Sequence, residues 1–182
     1  MVWGTILGVI LLVVFIVIGL FNSLSKLKVV VDEAIADIET FLKQRYDMIP
    51  NLVEIVKGYA AHEKDTFKEV TEMRTKAMSA GSFSEKAKIE DQLSAGISKI
   101  FAVAEAYPEL KANTNFVELQ NSLKALEDDI QKSRRFYNGT VRNFNTKIAV
   151  FPNNLIANIL GFKALDFFEA TEEEKKNVNI KF

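Results

Sequence analysis

VWGTILGVILLVVFIVIGLF, residues 2–21, carries no charged side chain, and the first charge after it is Lys26. A helix of about 20 apolar residues rises 1.5 Å per residue, enough to cross a hydrocarbon core of roughly 30 Å. The run is either a retained anchor or a cleaved signal peptide. No basic segment precedes it, it is long for a signal h-region, and only Ser23-Leu24-Ser25 stands where a small-residue cleavage site would be. A retained transmembrane anchor over residues 1–22 is therefore expected, with membrane lipid as its first partner. Trp3 and Phe21 lie near its two ends, where aromatic rings favour the interface. Lys26 and Lys28 follow directly, whereas the N-terminal side has no basic residue. Positive charge near a span stays inside, so a single-pass protein is expected with its N-terminus outside and its helical domain cytoplasmic.

The rest of the chain reads as helices. Only 8 glycines and 3 prolines occur in 182 residues, which favours long elements over a turn-rich β architecture. Apolar residues recur at three- and four-residue steps through Leu24, Leu27, Val31, Ala34, Ile38 and Phe41. The pattern resumes through Ile49, Leu52, Val56, Tyr59, Phe67 and Val70, with Gly81 as a left-handed cap. Ser82-x-x-Glu85 predicts a capping box opening a second helix, which stops near Tyr107-Pro108. Asn115-x-x-Glu118 offers a similar start for a third. There Phe116, Leu123, Ile130, Tyr137 and Phe144 repeat every seven residues. The second core position drifts from Leu119 and Leu126 to Val141 and Ile148, as 3.6 residues per turn requires of a nearly straight helix. A short helix follows in FPNNLIANILGF, residues 151–162.

The expected fold is all-α: a transmembrane helix, then an antiparallel bundle of three long helices and a short C-terminal one. The coiled-coil-like third helix suits a packed bundle better than an extended supercoil. The bundle domain would cover residues 23–168, followed by a charged, loosely held tail over 169–182. A kink is expected near Pro50, because proline removes one backbone donor and crowds the carbonyl four residues earlier.

Chemistry is hard to place on this chain. It has no cysteine, which excludes disulfides, thiol catalysis and thiolate metal sites. The formal charge of -1 gives no general attraction to nucleic acid. His62 is the one histidine, and Thr66 stands where a zinc-protease helix needs the second. Zinc needs three or four ligands, so His62 reads as an unliganded, partly exposed side chain. No phosphate-cradling glycine loop or nucleophile elbow occurs. No enzyme activity, cofactor, metal or small-molecule substrate is expected.

Several charges instead fall on apolar seams. Arg45, Glu63 and Arg74 lie within the stripe of Ile49, Leu52, Val56, Tyr59, Phe67 and Val70. Gln120, Glu127 and Arg134 stand at sevens beside the third-helix seam, and Asn138 and Asn145 continue a polar row. An unpaired buried charge is costly, so these groups are expected to pair across helices, within one chain or between subunits. Polar pairs on a seam set register and partner choice.

RYDMIPNLVEIVKGYAAHE, residues 45–63, resembles the signature of the LemA family of bacterial membrane proteins. The resemblance continues through AEAYPELKANTNFVELQNSL and LEDDIQKSRRFYNGTVRNFNTKIAVFPNNLIANILGF, covering nearly all the chain after the anchor. The matching signature positions are Asp47, Asn51, Glu54, Gly58, Tyr59, His62, Tyr107, Pro108, Tyr137, Phe151 and Pro152, together with the seam residues above. The resemblance implies one span, a long helical domain in the bacterial cell membrane and no established catalytic activity. It also implies an envelope protein partner such as a membrane metalloprotease. On these grounds the chain is expected to self-assemble as a non-enzymatic envelope scaffold or adaptor. The alternative is a regulatory or adaptor subunit of a membrane protease or envelope stress complex.

Overall fold

The computed structural model describes residues 2–168, and the charged tail expected over 169–182 lies outside them. The described residues form six helices and no strand: α1 (Val2–Lys57), α2 (Lys64–Ser79), α3 (Phe83–Glu105), α4 (Pro108–Lys111), α5 (Thr114–Ala149) and α6 (Asn153–Ile159). The all-α fold is thus as expected, and its N-terminal helix is long and apolar. The chain divides into two compact units, each fed by α1 and α5: residues 2–37 with 133–167, and residues 38–132 with Phe168.

In the first unit, no residue of the most apolar stretch of α1 is buried, and its mean hydropathy is 3.0. It is consistent with membrane anchoring. Burial begins at Leu24 and continues at Val31 and Ala34, which meet a core of Tyr137, Val141, Phe144 and Ala157. The chain beyond α6 is stitched to α5 by Asn145, whose side chain accepts from Leu165 N at 2.9 Å and donates to Leu165 O at 2.8 Å. Tyr137 donates its hydroxyl to the Asp166 carbonyl at 2.7 Å.

The second unit packs α1, α2, α3 and α5. Cross-helix pairs give the directions. Glu69 with Lys99 and Val70 with Gly96 run in opposite order, so α2 and α3 are antiparallel. Ser94 with Glu127 and Phe101 with Phe116 make α3 and α5 antiparallel as well. Glu39 with Lys86 and Arg45 with Ser94 increase together, so α1 and α3 are parallel. The core holds Leu42, Ile49, Leu52, Val56, Val70, Leu93, Ile100, Leu110, Phe116 and Ile130, all nearly or fully buried. A Cβ at Gly96 would stand 2.8 Å from Val70 Cγ2, so the closest α2–α3 approach needs a residue without one.

Local signals moved by a few residues in places. Ser82 caps α3 as expected, its hydroxyl accepting from Glu85 N at 3.1 Å. The Glu85 carboxylate accepts from Gly81 N at 3.2 Å, one residue earlier than a standard capping box. Gly81 is therefore held by a side chain and does not serve as a left-handed cap, since Gly161 is the positive-φ glycine of the described residues. The third long helix is capped by Asn113 and not Asn115, because Asn113 Oδ1 accepts from Phe116 N at 3.1 Å. Gly161, at φ +76°, closes α6 in a Schellman motif, with Phe162 N donating to Ala157 O at 2.9 Å.

The helix does not end at Pro50. α1 runs seven residues further, and the chain leaves it at Gly58–Glu63, where Tyr59 N donates to Val56 O in a tightened last turn. What lets α1 pass through a proline is a feature of the polar network.

A buried polar network as candidate functional site

Proline at position 50 has no N–H for the carbonyl of Tyr46, four residues earlier. Arg74 of α2 supplies the missing donor, its Nε lying 2.7 Å from Tyr46 O. Backbone carbonyls removed from water need a partner, and here a side chain from a neighbouring helix provides it. Two features that looked separate in the sequence, a proline inside a helix and an arginine on an apolar stripe, satisfy one another.

The same Tyr46 continues the network. Its hydroxyl, on a residue 6% exposed, donates to Glu90 Oε1 of α3. Glu90, 0% exposed, forms an ion pair with Arg45, which is 1% exposed. The Arg45 guanidinium also donates to Ser94 Oγ at 2.9 Å and to Glu127 Oε2 of α5 at 2.6 Å. Ser94 Oγ donates to Glu127 Oε2 at 3.1 Å, and Gln131 Nε2 donates to Glu127 Oε1 at 3.1 Å. From Arg74 to Gln131, one connected set of hydrogen bonds, joined at Arg45 and Glu90 by their ion pair, threads α2, α1, α3 and α5 within a single chain.

Glu127 is the one acid of this set that reaches water, its side chain 36% exposed. Beside it lies a cleft of about 250 Å³, with Arg45, Ile97, Phe101 and Leu123 in its wall. A fully buried charge is stable in such a place only when paired and hydrogen-bonded, and Arg45 is held by two carboxylates and a hydroxyl. Such an arrangement fixes helix register. Glu90 and Glu127 Oε2 face donors from another helix, Glu127 Oε1 takes its donor from Gln131 one turn along α5, and among the described residues no group of three or more His, Asp or Glu converges as metal ligands.

The remaining seam residues separate. Glu63 precedes α2, its carbonyl accepting from Phe67 N at 3.3 Å, and Gln120 is half-buried on α5; both lie outside the network. Arg134, 5% exposed, and the half-buried Asn138 belong to the other unit. In that unit burial, and secondarily the charge of Asp166, hold the Tyr137 phenol above its ordinary value of 10.0.

The signature residues Asp47, Pro50, Asn51, Glu54, Gly58, Tyr59 and His62 are exposed. Asp47 pairs with Lys43 at 2.7 Å, and the Tyr59 hydroxyl accepts from Asn113 at 3.1 Å. Tyr107 and Pro108 start α4, with Pro at its first position. Phe151 is exposed and Pro152 caps α6.

Sequence reasoning missed Tyr46, Glu90 and Ser94. On α3 the apolar Ile89 is only half-buried, whereas the fully buried position beside it is Glu90. A spacing signal existed in Ala87, Glu90, Ser94 and Ile97, at steps of three and four. A glutamate inside that stripe reads as core only once an arginine is known to face it.

An exposed apolar helix leading into a helical bundle tied by buried charges defines a membrane-associated helical protein. A family model described as the LemA family matches residues 34–182, and the chain belongs to that family. Among similar proteins, Protein LemA of Metamycoplasma hominis is 25% identical over 91% of this chain and 76% of its own length. Magnetosome protein MamQ 2 of Paramagnetospirillum magneticum is 26% identical over 72% of this chain. Magnetosome protein MamQ of Magnetospirillum gryphiswaldense is 23% identical over 73% of this chain. The chain spans 58% of the length of both MamQ proteins. None of these names is that of an enzyme.

Proposed function

We propose that this protein is a non-enzymatic, membrane-anchored scaffold or adaptor of the bacterial envelope that self-assembles through its helical bundle. One observation carries the reading: α1 is a single helix from its uncovered apolar stretch to the buried Arg45 and Tyr46. A partner held by α1 beyond Arg45 is thereby held on the same helix as the membrane segment. Arg45, Arg74 and Glu127 are engaged inside the chain, so assembly uses other surfaces and the network serves to keep the helices in register. The anchor is proposed to be single-pass, with the N-terminus outside and the bundle in the cytoplasm, because Lys26 and Lys28 follow the apolar run.

The test is the mass of the full-length protein, extracted in mild detergent and measured by light scattering after purification. A defined homomer supports self-assembly, and a strict monomer overturns it. A second reading, an adaptor for an envelope protein such as a membrane metalloprotease, has its own support. Two adjoining clefts of about 270 and 370 Å³ lie between α1 and α2, with Val53, Lys57 and Thr71 lining both. Their apolar walls, Ile49, Val53 and Phe67, suit a segment of another protein. That reading predicts an equimolar heteropartner in a gentle pull-down, lost when Val53→Asp is introduced.

A further inference from the structure

The helix α6 is turned inside out. Asn153 and Ala157, 5% and 1% exposed, face inward, and Asn153 Nδ2 donates to Lys147 O at 3.0 Å. Leu155 and Ile159, one turn apart on the opposite side, are 56% and 80% exposed. Phe151, just before the helix, is 79% exposed. A water-facing surface helix places its apolar residues toward the core and its polar ones outward. Here the most exposed residues of the outward face are aliphatic and aromatic, with Asn158 beside them, and residues 148–162 hold no charged side chain, with Lys147 and Lys163 bracketing them.

The place of this face in its unit says what covers it. Gly161 ends α6 and turns the chain so that the Phe162 ring lies 6.1 Å from the Phe21 ring and 6.2 Å from the Phe144 ring. Phe21 is the last residue of the apolar run that fits the hydrocarbon core. Ile159 is only three residues before Phe162, so the C-terminal end of α6 lies at the level where α1 leaves the bilayer. At that level a charge-free apolar face flanked by lysines matches the acyl chain and headgroup boundary.

We propose that α6 is a second, interfacial membrane contact, in which Phe151, Leu155 and Ile159 enter the headgroup region while α1 spans the core. The surface takes lipid, and its role is to hold the unit at a fixed tilt against the membrane through two points. The pair α1 and α6 resists rotation about the α1 axis, which one span alone does not.

The test uses single-tryptophan reporters in the full-length chain. Trp3→Phe removes the one native tryptophan, and Phe151→Trp or Ile159→Trp then introduces a reporter. The protein is reconstituted in mixed phosphatidylcholine and phosphatidylglycerol vesicles whose acyl chains carry bromine near the headgroup or near the terminal methyl. Phe136→Trp, at an exposed site on α5 about 20 Å up the helix from Ala149, is the reference. The expected result is blue-shifted emission at both α6 positions and several-fold stronger quenching by shallow bromine than at position 136. Quenching no greater than at the reference overturns the proposal. So does a blue shift that ignores the brominated lipid but grows with protein density, which would assign the face to a second copy of the chain. Unchanged circular dichroism of each variant shows that the reporters leave the fold intact.

Discussion

Replacing Arg74 by Met should destabilise the protein far more when residue 50 is proline than when it is alanine. In the native chain the Tyr46 carbonyl receives Arg74 Nε at 2.7 Å and no amide from position 50. A hydrogen bond to a charged group contributes about 1.5–3 kcal/mol. Arg74 is only half-buried, so roughly 1–2 kcal/mol is expected for Arg74→Met. Pro50→Ala restores the ordinary intrahelical donor, so the carbonyl is no longer orphaned when Arg74 is lost. In that background Arg74→Met should cost less than about 0.5 kcal/mol, which leaves a coupling of about 1 kcal/mol. For a chain of this size that coupling corresponds to a melting-temperature difference of roughly 2–4 °C. The assay is a double-mutant cycle by thermal and urea unfolding of the full-length protein in detergent, followed by circular dichroism. Equal costs for Arg74→Met in both backgrounds would refute the reasoning.

Three further outcomes follow from the same geometry. Arg45→Met should cost about 3–5 kcal/mol by leaving Glu90 charged and buried, whereas the Arg45→Met, Glu90→Leu double variant should lose less than half the sum of the single losses, measured by urea unfolding. Gly96→Leu should destabilise by more than Gly96→Ala, since even a Cβ meets Val70 Cγ2 at 2.8 Å; Gly96→Ala itself should lose about 1–3 kcal/mol, less up to about 1 kcal/mol of gained helix propensity. Tyr137→Phe should cost about 1 kcal/mol at neutral pH by deleting the bond to the Asp166 carbonyl. Because the folded phenol titrates above 10.0, the unfolded chain releases this proton first. Native stability should therefore hold up to about pH 10 and fall above it, with a shallower fall in Tyr137→Phe, as pH-dependent unfolding will show.

Much of the architecture was legible in the chain. The charge-free run of residues 2–21, the Ser82 cap and the sevenfold spacing from Phe116 to Phe144 are local or periodic signals; each marks a helix, and the last also marks its buried side. Boundaries were less legible where a side chain competes for the same backbone group. Asn113 takes the Phe116 amide, so the start of α5 lies ahead of the Asn115 signal. The LemA resemblance carried over most of the chain's length, yet it named residues without saying which of them meet.

Sequence alone determined that this is an all-helical protein with one long apolar segment, because composition and periodicity depend on each helix by itself. It also showed that charges sit on apolar seams. Only the tertiary structure decided what those charges do, since a hydrogen bond between helices depends on two registers at once. It chose Glu90 and Glu127 for Arg45, left Glu63 and Gln120 outside, and set Arg74 against the carbonyl that Pro50 leaves open. It also turned Leu155 and Ile159 of α6 outward beside the end of the apolar run of α1, an orientation fixed by Asn153, Gly161 and the Phe21–Phe162 contact. Periodicity reports that a face is apolar, and packing reports whether that face meets the rest of the chain or stays uncovered.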